Sequence, residues 1–260
     1  MEVTRGQRRT RSQGEMLYGV HPIVQAIESG QEIERIIMRS GLRSETLPQL
    51  MQMARQRGIA VQHVPAAWFN RLGSRNHQGI VATVSPIGYQ SLEALIPLLF
   101  EQGESPLIVV ADGITDVRNL GAIARSAECA GAHALVVPTK GSAHINADTV
   151  KASAGALLHI PVCRTSRLDQ TCQFLKECGL QLVVATEDGA TFFHSADLHG
   201  PLALVLGDEG HGVSSSILRM ADITVRIPIH GQVSSLNVSV AAGILLYEAE
   251  RQRRDSSAQF

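Results

Sequence analysis

The chain has 260 residues, of which 44% are hydrophobic and 18% charged, with 23 glycines and 10 prolines, so its composition excludes disordered, collagen-like and disulfide-rich classes of protein. The net charge of -1 conceals an asymmetry, because residues 1–84 carry eleven arginines and six acidic residues, whereas residues 85–260 carry twelve basic and eighteen acidic residues. A basic first third on an acidic remainder is typical of a protein in which one domain holds a polyanion, although small domains also differ in charge by chance.

Residues 1–91 predict a basic arm, a small α/β domain and a linker. Residues 1–15 are polar, contain four arginines and offer nothing to bury, which favours a flexible arm. Residues 86–91 are turn-rich and lack apolar periodicity, so they are interpreted as the linker. Between them, residues 16–85 predict a helix from Pro22 to Gly30, a strand near Ile33 to Met38, a helix capped by Ser44 and ended at Gly58, a strand near Ile59 to Val64, a short helix through Trp68 and a strand from Gly79 to Val84.

Residues 92–260 repeat strand, loop and helix, which predicts a second α/β domain. Continuous apolar strands that alternate with helices indicate a parallel sheet covered on both faces. In such sheets ligands bind beyond the carboxyl ends of the strands, so the loops that follow the strands are where chemistry is expected. The predicted strands are Leu107 to Ala111, Ala134 to Val137, His159 to Val162, Gln181 to Ala185, Leu202 to Leu206 and Ile223 to Ile227, and the predicted helices are Leu92 to Phe100, Leu120 to Ala130, Ala147 to Leu157, Leu168 to Cys178, Ser214 to Met220 and Asn237 to Arg253.

The first loop of interest is DGITDVRNLGAIAR, residues 112–125. It contains neither G-x-G-x-x-G nor G-x-x-x-x-G-K-[ST], which excludes the dinucleotide fingerprint and the P-loop. Asn119 is placed to cap the following helix, on which Gly121, Arg125 and Glu128 share one face by their spacing. One interpretation is a cap with an Arg125–Glu128 surface pair. The other is a ligand site, in which the small Gly121 leaves a ligand room to approach the guanidinium.

The second loop of interest is rich in glycine. Gly207, Gly210 and Gly212 directly follow a predicted strand, with Asp208 and Glu209 among them. Because glycines in such numbers cost backbone entropy, they mark turns with positive φ or a close approach to a ligand. Two consecutive turns and a ligand beside the loop are both consistent with this pattern.

The third segment, residues 223–254, ends in a helix that is apolar nearly all round. A strand ending at Pro228 leads through a serine-containing loop to Asn237, which opens the helix. A helix with apolar residues on all sides is buried on all sides, so it is tucked into the fold or packed against another subunit. Helix capping is the simplest role for Ser235 and Asn237.

Together, the three segments resemble a known family. NLGAIAR, LGDEGHG and IPIxGxVSSLNVSVA occur in the order of the three motifs of the SpoU class of SPOUT RNA ribose 2'-O-methyltransferases. YGVHPIVQAI and NHQGIVATV look like the small substrate-binding domain, similar to ribosomal protein L30e, of members that methylate a guanosine ribose in bacterial large-subunit ribosomal RNA. The resemblance implies an L30e-like domain followed by an α/β domain with a C-terminal trefoil knot. It also implies ribosomal RNA as substrate and a homodimer.

The resemblance further implies which residues form the site. S-adenosylmethionine would contact Thr186, Leu206, Gly207, Gly210, Ile227, Ile229 and Leu236. The catalytic residues would be Asn119, Arg125, Glu209, Ser235 and Asn237. In the basic first domain we expect Arg71, Arg75 and Asn76 to contact RNA, and a solvated surface loop is the alternative for these three.

The implied reaction needs no metal, because a ribose 2'-oxygen attacks the methyl group of a sulfonium in a dry, positioned site. A guanidinium is effectively always protonated. Arg125 is therefore expected to hold the target phosphate and hydroxyl and to stabilise alkoxide charge, rather than to act as the base. Glu209, a water or a phosphate oxygen would accept the proton, while Ser235 and Asn237 orient these groups.

Two other classes of function compete with this reading. In a noncatalytic RNA-binding protein the first domain would bind the RNA and the second would only form the dimer. A nucleotide-dependent oxidoreductase would need the glycine fingerprint that the sequence lacks. Within the methyltransferase family, a tRNA or another ribosomal RNA is the alternative substrate.

Apolar runs and cysteines limit the cellular context. The longest apolar runs, such as residues 106–111, have the length of a strand and are far short of a membrane span. No apolar stretch follows the N-terminal arginines, so we expect a cytoplasmic protein without a secretory signal. The four cysteines form no C-x-x-C pair, which favours reduced thiols over a zinc site or a disulfide framework.

Overall fold

The computed structural model describes residues 16–257, with side chains as far as residue 254. The basic arm predicted at residues 1–15 lies outside the described residues. The described chain forms two sheets, each with its own hydrophobic core.

The N-terminal unit is a four-stranded sheet with helices on both faces. Its strands run in the order β1-β4-β2-β3, with β2 and β3 parallel and the other pairs antiparallel. Along β2 the side chains alternate, so that Ile36 packs towards α1 and α2 while Ile37 packs towards a 3₁₀ helix. The elements are β1 (Met16–Tyr18), α1 (Val20–Glu28), β2 (Ile33–Arg39), α2 (Leu47–Gln56), β3 (Ala60–Val64), the 3₁₀ helix (Ala66–Leu72) and β4 (Ile80–Val84).

All six elements predicted in this region are present, within a few residues of the expected bounds, but Thr46 and not Ser44 stands at the N-cap of α2. The sequence does not predict β1, because three residues are too few to show a period of two. This strand exists through its antiparallel pairing with β4, in which Met16 lies opposite Thr83.

The C-terminal unit is an eight-stranded sheet in the order β10-β12-β9-β11-β6-β7-β8-β5, and its strand pairs are parallel, as predicted. Helices cover both faces. Within residues 16–257, every helix is too short or too polar to span a bilayer. The elements are β5 (Tyr89–Gln90), α3 (Leu92–Glu101), β6 (Leu107–Asp112), α4 (Val117–Cys129), β7 (Ala134–Pro138), α5 (Ala147–Ala152), β8 (Val162–Thr165), α6 (Leu168–Glu177), β9 (Gln181–Ala185), β10 (Thr191–Phe192), β11 (Leu202–Gly207), α7 (Ser215–Leu218), β12 (Ile223–Arg226) and α8 (Val238–Ser257).

Several stretches of this unit differ from the sequence prediction, among them β10, which is not predicted, and α5, which ends at Ala152 and not at Leu157. Residues 86–91, predicted as a linker, contain the edge strand β5, whose two residues are too few to show periodicity and pair with β8. The strand predicted from His159 to Val162 instead begins at Val162. A 3₁₀ turn ends at Leu158, and Pro161, which has no N–H, contributes only its carbonyl to the Leu135 amide, at 2.9 Å.

The structure contradicts the predicted cap of α4, the role given to Gly121 and the alternative interpretation of an Arg125–Glu128 pair. Asp116, not Asn119, caps the helix, since its carboxylate accepts a hydrogen bond from the Arg118 amide at 2.7 Å and aspartate is among the strongest N-caps. Gly121 does not leave room for a ligand, because a Cβ built there lies 2.5 Å from the Cβ of Ala152 on α5. The Arg125–Glu128 pair does not occur among the ion pairs of the described residues.

Gly121→Ala should therefore lower the free energy of unfolding. An added methyl would force α4 and α5 apart at a cost of about 1–3 kcal/mol, which the higher helix propensity of alanine, about 1 kcal/mol, offsets only in part. Urea unfolding measures the difference. Gly243→Ala on α8 is the control, since its nearest neighbour is the Ser126 Oγ at an ordinary 3.7 Å. A Gly121→Ala variant as stable as the parent would contradict the packing role.

Within a single chain helix α8 is buried on one side only, so it is not tucked into the fold on all sides, and the alternative, that its other side packs against another subunit, stays a prediction. Ala242 and Leu246 pack into the core shared with α4, whereas the side chains of Val240 and Tyr247 are 50% and 52% exposed. The far end of the helix is held to the segment that precedes β11, because the Gln252 Oε1 accepts a hydrogen bond from the Leu198 amide at 2.8 Å.

The four cysteines are free thiols. Cys163 and Cys172 are buried in the core between the sheet and helices α3 and α6, and burial raises the pKa of each thiol to about 12. These two side chains therefore stay protonated and act as small apolar groups.

Candidate active site

A cavity of about 350 Å³ lies at the carboxyl edge of the second sheet. Its walls include Ala185 at the end of β9, Leu206 at the end of β11 and the loop that leads from β12 to α8. The volume falls within the range of small-molecule and cofactor sites.

All seven residues predicted to contact S-adenosylmethionine lie on the wall of this cavity. Apolar side chains form part of the wall, which suits the adenine ring of S-adenosylmethionine. The acidic residues Glu187 and Asp188 also line the wall and suit the positive charge of this ligand. The sequence did not single out these two carboxylates, although they directly follow Thr186. The residues that line the cavity therefore suit S-adenosylmethionine, and the contact of each residue with this cofactor stays a prediction. The seven are Thr186, Leu206, Gly207, Gly210, Ile227, Ile229 and Leu236.

The glycine loop folds tightly back on itself. The Gly212 amide donates to the Asp208 carbonyl at 2.9 Å, and Gly212 has a φ of +67°. A Cβ at Gly207 would lie 2.2 Å from the carbonyl carbon of Gly212, so the close approach that requires this glycine is made by the chain itself. A hydrogen bond from the Gly210 amide is the main cause that lowers the pKa of the Asp208 carboxyl. The loop is thus held in one shape beside the cavity.

Three of the five predicted catalytic residues form one hydrogen-bonded cluster. The Glu209 Oε1 accepts hydrogen bonds from the Asn119 Nδ2 at 3.1 Å and from the Asn237 Nδ2 at 2.5 Å. The Asn237 Nδ2 also donates to the Asn119 Oδ1 at 3.0 Å. We call this group the Asn119–Glu209–Asn237 cluster. It joins the first turn of α4, the glycine loop and the start of α8, and Glu209 places it against the cavity.

Asn237 caps α8, as one interpretation expects, and its catalytic role stays a prediction. Its Oδ1 accepts a hydrogen bond from the Ser239 amide at 3.0 Å and so caps α8, while its Nδ2 belongs to the cluster. Ser235 lies on the wall of the cavity, two residues before the cap.

Arg125 lies outside the cluster. It is exposed on α4, six residues after Asn119 and therefore on a different side of the helix. Within residues 16–254, no side chain forms a hydrogen bond or ion pair with its guanidinium. Its charge is thus available to an anion from outside the chain.

The three predicted RNA contacts are exposed, and the two arginines lie against half-buried aromatic rings. The Arg71 guanidinium lies 4.6 Å from the centroid of the Trp68 ring, and that of Arg75 lies 5.1 Å from the Tyr18 ring, to whose hydroxyl it also donates. Asn76 is exposed beside them. The sequence did not single out the two rings as partners of these arginines, and such pairs are typical of surfaces that bind unpaired bases and phosphates.

Comparison with known proteins decides the family. Residues 106–247 match the SpoU rRNA Methylase family, and residues 16–90 match the RNA 2'-O ribose methyltransferase substrate binding domain. The chain belongs to the SpoU rRNA methylase family.

Members of the SpoU family resemble the chain over nearly its full length. It is 37% identical to the 23S rRNA (guanosine-2'-O-)-methyltransferase RlmB of Photorhabdus laumondii, with 92% of this chain and 98% of the relative covered. It is 39% identical to the uncharacterized tRNA/rRNA methyltransferase slr0955 of Synechocystis, over 92% of this chain and 63% of the relative. The crystal structure of the SpoU methyltransferase AviRb from Streptomyces viridochromogenes in complex with AdoMet has a TM-score of 0.59 and 29% identity, covering 95% of this chain and 93% of AviRb.

The protein is therefore an S-adenosylmethionine-dependent RNA ribose 2'-O-methyltransferase. The predicted family, enzyme class and cofactor are confirmed, as is a small substrate-binding domain followed by a parallel α/β domain. The roles of individual site residues remain predictions.

Proposed function

We propose that this enzyme methylates the ribose 2'-hydroxyl of a guanosine in 23S ribosomal RNA, in the cytoplasm. The similarity to RlmB supports this target, because it extends over both the substrate-binding domain and the methyltransferase domain. A tRNA is the second candidate substrate, since the Synechocystis relative is named for both RNA classes.

The Asn119–Glu209–Asn237 cluster and Arg125 have different roles towards the RNA. Glu209 holds the amides of Asn119 and Asn237 through one carboxylate oxygen, so both amides are oriented before RNA binds. Arg125 holds a phosphate and the target hydroxyl and stabilises the alkoxide. Glu209, a water or a phosphate oxygen accepts the hydroxyl proton, and Ser235 helps to orient these groups.

The cavity binds the methyl donor. Bound S-adenosylmethionine provides a methyl group on positively charged sulfur. Leu206, Ile227 and Leu236 exclude water from the apolar part of the ligand, and the carboxylates of Glu187 and Asp188 attract its charge. The glycine loop sets the shape of the wall between the cavity and the cluster.

Mapping ribose methylation in RNA from cells that lack the protein tests the proposed target. We expect one 23S guanosine to lose its 2'-O-methyl group, and the parent gene but not an Arg125→Ala gene to restore it. Loss of a methyl group from a tRNA, with all 23S positions unchanged, would establish the second candidate instead.

We also propose that the enzyme is a homodimer that uses the exposed side of α8. Val240 and Tyr247 on this side leave apolar surface that an obligate interface would cover. Light scattering at micromolar concentration should report a dimer for the parent and a monomer for a Val240→Glu, Tyr247→Glu double variant. Leu98→Glu is the control, because Leu98 is equally exposed but lies on α3, on the other face of the sheet. A monomeric parent would contradict the proposal.

RNA affinity should depend on salt through the basic N-terminal unit. Each lost phosphate contact lowers the slope of log affinity against log salt by about 0.7 for a single strand. We expect Arg71→Ala and Arg75→Ala each to flatten the slope by this amount, and removal of residues 1–15 to flatten it further. Filter binding between low and moderate salt measures the effect, with Arg43→Ala as the exposed control. An unchanged slope after removal of residues 1–15 would show that those arginines do not touch phosphates.

A further inference from the structure

Glu34 is a buried carboxylate at the boundary between the two units. It lies on β2 of the N-terminal unit, and its side chain is only 7% exposed. Its partners all belong to the C-terminal unit. The Oε1 accepts a hydrogen bond from the Ile145 amide at 3.2 Å and lies 3.3 Å from the His144 Nδ1, while the Oε2 accepts one from the Tyr89 hydroxyl and lies 3.5 Å from the Arg164 Nη1.

Arg164 completes the contact from the other side. Its side chain is 8% exposed and its guanidinium lies 4.1 Å from the centroid of the Tyr89 ring. Its Nη2 donates to the Ile33 carbonyl at 3.4 Å and its Nη1 to the Glu34 carbonyl at 3.4 Å. The arginine therefore binds both the backbone of β2 and the carboxylate that β2 carries.

The contacts around Glu34 hold the two units together and also fix the orientation of one unit relative to the other. Burial alone would raise the pKa of the Glu34 carboxyl, but the hydrogen bonds from His144 and Tyr89 and the Arg164 charge lower it below its usual value. The carboxylate is thus ionised and paired. A buried ion pair contributes little net stability compared with apolar packing, and its best-attested use is to select one arrangement. Contacts from three separate segments of the C-terminal unit leave the N-terminal unit little freedom to rotate.

One of these contacts is connected to the candidate active site through residues 142–145. Residues 142–145 carry the Ile145 amide that binds Glu34, and the Ala143 amide donates to the Ile114 carbonyl at 2.7 Å. Ile114 lies between β6 and α4, two residues before the cap of the helix that carries Asn119. A continuous set of hydrogen bonds and short peptide segments thus connects Glu34 with the loop that positions the Asn119–Glu209–Asn237 cluster.

We propose that Glu34 is a positioning residue that holds the substrate-binding unit in register with the Asn119–Glu209–Asn237 cluster. The inference rests on the proposed function, because RNA held near Arg71 and Arg75 must reach the cluster with its target ribose in place. A small misplacement of reacting groups costs rate without loss of binding. Glu34 itself touches neither the cavity nor the cluster.

The test compares Glu34→Gln and Glu34→Ala with the parent, as full-length proteins. Glu45→Gln is the matched control, because Glu45 is an exposed carboxylate of the same unit. Single-turnover methylation of 23S ribosomal RNA transcribed in vitro, at saturating RNA, should fall about ten- to a hundredfold in both Glu34 variants, since misplacement by about 1 Å can cost a hundredfold. S-adenosylmethionine affinity by calorimetry and RNA affinity by filter binding should be unchanged. Small-angle X-ray scattering should show a broader distribution of distances within the protein.

The outcomes separate the inference from its alternatives. Parent-like rates and scattering for Glu34→Gln would overturn it. A loss of rate together with loss of S-adenosylmethionine affinity and of cooperative unfolding would also overturn it, by showing that Glu34 only stabilises the fold. A parent that does not methylate the 23S transcript would contradict the proposed target, and in that case the scattering comparison alone would decide whether Glu34 sets the arrangement of the two units.

Discussion

Replacing Arg125 by alanine is expected to slow methyl transfer by about a hundred- to a thousandfold, the usual cost of losing one electrostatic group that stabilises developing charge. The guanidinium is exposed on α4 and has no partner among residues 16–254, so its removal leaves no buried group unpaired. The described residues that line the cavity lie in the range 185–245, and none belongs to α4. Affinity for S-adenosylmethionine should therefore stay at the parent value. Calorimetry and single-turnover methylation with saturating RNA measure the two quantities.

Arg118→Ala provides the matched control for this prediction. Arg118 is also an exposed arginine of α4, but its Nη2 lies 3.1 Å from the Asp116 carboxylate, so its charge is already compensated. We expect a small effect on rate, since exposed ion pairs contribute little. A folded Arg125→Ala variant with the parent rate would remove Arg125 from the catalytic set, and one that loses S-adenosylmethionine affinity would place it at the cofactor site.

The sequence predicts most of the local structure because the signals are local. The parallel sheet follows from apolar strands that alternate with helices, and the glycines at Gly30 and Gly58 mark where helices end. The candidate site is predicted by resemblance, since motifs that lie far apart along the chain cannot be brought together from periodicity alone. Asn119 and Asn237 are 118 positions apart, and their hydrogen bond depends on the whole fold.

The features that the sequence does not predict concern residues whose partners are distant. Gly121 is small because of Ala152, a neighbour that no local pattern identifies. Glu34 shows as an interruption in an apolar strand, and its partner Arg164 lies 130 residues away. The one-sided burial of α8 has a different cause, because an apolar helix looks the same in sequence whether its second side meets the same chain or another one. Such features depend on tertiary contacts that the sequence encodes only collectively.

Gly207→Ala is expected to weaken S-adenosylmethionine binding strongly. The new Cβ would lie 2.2 Å from the Gly212 carbonyl carbon and 2.3 Å from the Val213 nitrogen, and both atoms belong to backbone that cannot rotate away. The turn from Asp208 to Gly212 would have to open, which displaces the cavity wall. Overpacking of this kind costs about 1–3 kcal/mol, and a cost of that size carried into binding weakens affinity by roughly ten- to a hundredfold.

Gly210→Ala is the control, because it replaces a glycine of the same loop without the steric clash expected at Gly207. A Cβ at Gly210 meets only the Asp208 Oδ1, at 3.2 Å, which is the end of a side chain that can move, and Gly210 does not have a positive φ. We therefore expect Gly210→Ala to keep most of its affinity for S-adenosylmethionine by calorimetry, with circular dichroism showing that both variants fold. Equal losses in the two variants would mean that the ligand itself approaches Gly210, as the glycine pattern allows. Parent-like affinity in Gly207→Ala would instead show that the turn opens without disturbing the cavity, and that the tight fold of the glycine loop is not what holds the cofactor.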